Sequence, residues 1–111
     1  MNVTMTMPRA AALAVAAMLV CARVAAQDAA IFAPEQIAKG AAIYERTCAP
    51  CHGSKMKDPE SAFNLRKFPP EQRERFNTSV TRGKNQMPPW GDMLLPGDID
   101  SLWAYVMAGD R

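Results

Sequence analysis

Cys48-Ala49-Pro50-Cys51-His52 gathers two thiols and the only imidazole of the 111-residue chain into five consecutive positions. On a helix, positions i, i+3 and i+4 share one face. Both sulfurs then reach the same edge of a flat ligand, with the imidazole beside them. This spacing suits covalent haem attachment, with Cys48 and Cys51 forming thioethers to the porphyrin and His52 acting as proximal iron ligand. Rival chemistries use the residues less completely. A Cys48–Cys51 disulfide leaves His52 idle, and a thioredoxin-like redox site needs a βαβ pattern that is not present. Structural zinc needs four ligands, yet the only other cysteine is Cys21 and there is no second histidine.

An iron held by His52 has a second axial position. The candidate is Met87, in Gly83-Lys84-Asn85-Gln86-Met87-Pro88-Pro89-Trp90. A residue before proline is pushed to extended backbone and a proline pair stiffens the strand after it, so the sulfur would stand at a fixed place. A soft thioether favours ferrous iron and raises the reduction potential. Met93 is the rival ligand. Met56 lies close to the attachment turn, and Met107 falls on a helix where packing explains it.

Three helices should position these groups. Pro34 can open the first, which runs to about Cys48 with Ile37, Ala41 and Tyr44 as its apolar stripe. Gly53 is a natural reversal point, and Ser54 to Pro69 reads as loop. A second helix is expected from about Pro70 to Arg82, with Phe76 and Val80 on its buried face and Gly83 as a left-handed C′ residue. The last should run from about Pro96 to Met107. Its stripe is Ile99, Leu102, Trp103 and Val106, with Tyr105 on the edge and Gly109 ending it. No strand pattern or repeat interrupts this all-α reading.

The N-terminus reads as an export signal. Arg9 is followed by a 13-residue apolar run, Ala10 to Ala22, and by the small residues Ala25 and Ala26. That run is too short to be a stable membrane anchor, so residues 1–26 are expected to be cleaved and 27–111 to form one domain. Cys21 leaves with the signal, which suits an oxidising compartment. A domain this small usually needs a staple, and haem would supply it. The haem-free mature chain should be largely unfolded.

The formal charge of +2 disappears once the signal is removed, and nothing in the remainder argues for nucleic acid. Charge is nonetheless uneven, net +4 from Lys55 to Lys84 and net −3 from Asn85 to Arg111. Such asymmetry can orient a docking partner.

From Gly40 to Val106 the chain resembles the class I cytochromes c, small soluble monohaem carriers. The matching pieces are Gly40 and Tyr44, Cys48-x-x-Cys51-His52, Gly83-x-x-x-Met87-Pro88 and Leu102-x-x-Tyr105. The resemblance implies a small cytochrome c fold, three to four helices wrapped around one covalent haem c, with His52 and Met87 as axial ligands. It also implies close crossing of the first and last helices, Gly40 and Tyr44 packing on Leu102 and Tyr105. Many relatives place a proline shortly before a leucine after the haem motif, and its carbonyl accepts the axial histidine's Nδ1–H. Phe63 stands there in this chain, with Pro59 as another candidate acceptor.

A haem iron with both axial positions filled leaves no site for substrate, so the expected role is a one-electron carrier and not an enzyme. The likeness implies a monomeric periplasmic protein without a stable membrane anchor, passing electrons from a dehydrogenase to an oxidase or another cytochrome. Met-Pro-Pro-Trp-Gly and the last helix are similar to cytochromes served by PQQ-dependent (quinoprotein) dehydrogenases. The alternatives are a haem subunit held tightly by a dehydrogenase, or a gas-binding or sensing protein if Met87 is not a ligand. Arg66 and Lys67 are candidates to meet the porphyrin carboxylates.

Overall fold

The computed structural model describes residues 31–111, so the expected signal at residues 1–26 lies outside them. Helix α1 spans Pro34–Thr47, opened by Pro34, whose missing N–H costs nothing in a first turn. Its last turn passes into the one-turn helix α2, Ala49–His52, through Cys48, whose N–H still donates to the Tyr44 carbonyl at 2.7 Å. Gly53 then reverses the chain at φ 83°, a backbone angle open to glycine at little cost. Helix α3 covers Arg73–Arg82 and helix α4 covers Asp98–Ala108. Among the described residues the only β pairing is an isolated bridge between Lys84 and Met87. The expected all-α class holds, with four α-helices among the described residues.

Three helix boundaries differ from the sequence expectation. Pro70–Gln72 forms a 3-10 turn, and α3 proper begins only at Arg73, because Gln72 at φ −104°, ψ 37° interrupts the ladder. Gly83 has the expected positive φ of 77° but ψ 169°, so it leaves the helix extended and not left-handed. A side chain there would meet the Met87 carbonyl at 2.6 Å. Helix α4 starts at Asp98 instead of Pro96, since Gly97 at φ 85°, ψ −11° makes the turn into it.

The α1–α4 crossing forms the centre of the domain. A Cβ at Gly40 would collide with the Ser101 carbonyl and stand 2.8 Å from the Tyr105 Cβ, so only glycine lets the two backbones meet. One turn along, the Tyr44 and Tyr105 rings pack at 5.1 Å. Tyr105 is therefore fully buried and not at the edge of its stripe, and its hydroxyl donates to Asp110 at 2.6 Å. A second aromatic group, Phe68, Phe76 and Trp103, joins α3 and the preceding loop to α4.

Buried Asp98 ties the start of α4 to both neighbours. Its carboxylate accepts from the Leu95 amide at 2.9 Å and pairs with Lys39 of α1 at 2.9 Å. These two contacts, the Lys39 bond first, hold its pKa below the ordinary carboxylate value.

Candidate haem-binding site

The Cys48–His52 motif is a single helical turn. The Cys48 carbonyl accepts from both the Cys51 amide (3.2 Å) and the His52 amide (2.9 Å), which brings positions 48, 51 and 52 to one side of the chain. The two cysteines are free thiols with no disulfide between them. Cys51 is exposed, while Cys48 is half-buried against the core. Burial, with Cys51 adding to it, pushes the Cys48 thiol up to about 12. It therefore stays a neutral thiol near pH 7 in this environment.

His52 is held through one nitrogen only. Its Nδ1 lies 3.0 Å from the Phe63 carbonyl, which can only accept, so Nδ1 carries a proton and, in the neutral imidazole, the lone pair falls to Nε2. The acceptor is Phe63 and not Pro59. The loop bringing Phe63 into place is anchored from α1. Glu45 accepts from Ser54 Oγ at 3.0 Å and from the Lys55 amide at 2.6 Å. Tyr44 Oη donates to the Gly53 carbonyl at 2.7 Å, and Met56 inserts into the core at 1% exposure. Sequence reasoning missed Glu45, because a lone glutamate on an exposed helix face carries no signal of a partner ten residues on.

Met87 closes a tight turn that comes after α3. Its amide and carbonyl exchange hydrogen bonds with Lys84 at 2.9 and 3.0 Å. Asn85 at φ 54° makes the bend, a conformation that asparagine tolerates well. Met87 is half-buried and packs on the core. Met93, the rival, is 73% exposed; Met107 packs on the core from α4.

The residues present fit a haem on two counts. Cys48, Leu65, Met87, Trp90 and Leu94 touch the core yet remain partly uncovered, which suits a large apolar ring. Arg66, on the same loop as Phe63, buries its Nε with no hydrogen-bond partner. Its Nη2 reaches only the Lys55 carbonyl, at 3.1 Å, so the guanidinium lacks an anion, and a porphyrin carboxylate would be one. Lys67 is exposed.

Residues 35–106 match the family model described as "Cytochrome C oxidase, cbb3-type, subunit III". The chain is 32% identical over 74 residues to cytochrome c6 of Microcystis aeruginosa, covering 62% of this chain and 91% of that one. Cytochrome c6 of Nostoc is 33% identical over 73 residues, covering 61% and 66%. The cbb3-type cytochrome c oxidase subunit FixP of Sinorhizobium medicae is 31% identical over 86 residues, covering 65% of this chain. Only 29% of FixP's own length is matched. No solved structure matches. The chain belongs to this cytochrome c family, as a monohaem class I cytochrome c with one covalent haem c. It is an electron-transfer haem protein and not an enzyme.

Proposed function

We propose that this chain is an exported one-electron carrier in which Cys48 and Cys51 hold the haem through thioethers and His52 and Met87 are the axial ligands. The observation that carries the reading is the Cys48–His52 turn, with two unpaired thiols and an imidazole whose Nδ1 is already engaged by Phe63. When bound, haem supplies reversible uptake and release of one electron at iron. The protein's own residues set the conditions for that exchange. His52 keeps one orientation and one tautomer because the Phe63 carbonyl holds Nδ1–H. Met87 presents a soft sulfur from a turn stiffened on one side by Asn85 and on the other by Pro88 and Pro89. Arg66 lowers the cost of a nearby carboxylate. The α1–α4 crossing keeps these groups in place across both oxidation states.

Residues 1–26 would direct export to the periplasm, leaving 27–111 as a monomeric carrier. No helix among the described residues is long and apolar enough to cross a membrane. A dehydrogenase, of the PQQ-dependent type, is the proposed electron donor, and an oxidase or another cytochrome the acceptor. Likeness to FixP, a subunit of an oxidase, favours a second reading in which the chain is held in a larger redox complex. Size-exclusion chromatography of native extract separates the two, since a free carrier elutes near its own mass.

The decisive experiment is an intact mass and a redox-resolved absorption spectrum of the exported protein. One covalently added haem, absent in the Cys48→Ser/Cys51→Ser double variant, and a sulfur-to-iron charge-transfer band that disappears in Met87→Ala are expected. Loss of that band in Met93→Ala instead would overturn the Met87 assignment. Rapid carbon monoxide binding to the reduced wild type would point to a gas-binding protein.

A further inference from the structure

The carbonyl that fixes His52 belongs to a residue with little backbone support of its own. Below it, the Ala62 amide closes a turn on the Pro59 carbonyl at 2.9 Å; above it, the Lys67 amide closes one on Asn64 at 3.0 Å. Among the described residues the Phe63 and Asn64 amides join neither turn. Asp58 and Glu60 just upstream both stand at φ 50°, so the approach to Phe63 is not a regular element that would set its carbonyl's direction. Phe63 is also half exposed, at 50%. Burial alone does not fix it.

Its ring, however, is gripped. It forms a T-shaped pair with Phe68, 5.9 Å between centroids and 78° between planes. The Arg75 guanidinium, on the first turn of α3, stands 5.8 Å from the Phe63 ring and 4.7 Å from the Phe68 ring. Phe68 is buried and continues the series to Phe76 at 5.6 Å and Trp103 at 6.1 Å, both T-shaped. A chain of aromatic contacts therefore runs from the core of α3 and α4 out to the residue whose carbonyl receives the His52 proton. Edge-to-face pairs and a cation over a ring are directional contacts, so they can hold a side chain in one orientation where a merely greasy surface would not.

We infer that Phe63 is a positioning residue for His52: its ring, clamped by Phe68 and Arg75, aims the carbonyl that orients the imidazole and sets its basicity. The inference rests on His52 being an axial ligand of haem. Weakening the Nδ1–H bond makes the imidazole a poorer donor, disfavours ferric iron and raises the reduction potential.

The test uses the haem-loaded protein and the variants Phe63→Ala, Phe63→Tyr and Arg75→Gln. All three substitutions are at the surface, so loss of fold is not the expected outcome. Intact mass, the charge-transfer band, the reduction potential and exchange of the His52 Nδ1 proton by NMR on the reduced form are recorded for each. Phe63→Ala should raise the potential and speed proton exchange roughly fivefold to tenfold, with haem and both axial ligands retained. Arg75→Gln should move both readings the same way by less, and Phe63→Tyr, which keeps the ring, should leave them near wild type. Unchanged potential and exchange in haem-loaded Phe63→Ala would overturn the inference alone. A wild-type protein without covalent haem would overturn the reading of the site and this inference with it.

Discussion

The α1–α4 crossing and the loop from Gly53 to Pro69 flank the same motif and are built by opposite means. The crossing is regular helix packed without a gap: Gly40 admits the Ser101 backbone, Tyr44 meets Tyr105, and Leu102 to Val106 are all buried. The loop contains only two 3-10 turns and four non-glycine residues at positive φ, namely Lys55, Met56, Asp58 and Glu60. It is held from α1 by Glu45 and Tyr44, internally by the Arg66 to Lys55 hydrogen bond, and by Met56 driven into the core. The helical turn carries Cys48, Cys51 and His52, whereas the loop aims the imidazole. A rigid frame thus presents the three side chains, and a strained, tethered segment supplies orientation.

Removing the haem tests the frame most severely. The Cys48→Ser/Cys51→Ser variant should lose most of its helical circular dichroism, because so small a domain buries too little without its cofactor. Native-like ellipticity would show that the crossing stands alone. Gly40→Val breaks the frame while leaving the loop's contacts untouched. Overpacking against the Ser101 backbone should cost about 3 kcal/mol in denaturant unfolding of the holoprotein. A cost near zero would mean the helices can separate at this point.

Asp98→Asn is a milder probe of the same frame. A carboxylate with a depressed pKa contributes stability at pH values above its ordinary, unfolded value, and that contribution fades as pH falls through the lower folded value. The wild type should therefore lose stability more steeply than Asp98→Asn on acidification from about pH 5. Parallel acid-unfolding profiles would deny Asp98 that role. The smallest effect is expected in the loop. Glu60 is exposed at φ 50°, and glycine relieves that backbone at some cost in unfolded-chain entropy, so Glu60→Gly should stabilise the holoprotein by about 0.5 kcal/mol. Destabilisation would show that the glutamate makes a contact worth more than its strain.

Much of this molecule is legible in one dimension. Pro34 and Gly53 punctuate helices because each residue's backbone preference is local, and the 3.6-residue stripes of α1 and α4 announce a buried face wherever they occur. The Cys48–His52 spacing belongs to the same class, since a helical turn alone brings the three side chains together. Tyr105 shows where periodicity stops. It lies at the edge of its stripe in a helical count, yet it is the most enclosed kind of residue once Gly40 lets α1 approach and Tyr44 stacks on it.

The residue types and their spacing determined the list of groups able to do chemistry and the helices that carry most of them, because both arise from interactions within a few residues. Tertiary structure alone decided that the His52 Nδ1–H would go to Phe63 and not to Pro59, that Glu45 would tether the loop, and that Arg66 would bury an unpaired nitrogen. Each of these joins segments some ten residues apart, or leaves a donor stranded, through contacts that exist only after the chain has folded back on itself. No periodicity encodes them, since their geometry is set by packing and not by the local turn of the backbone.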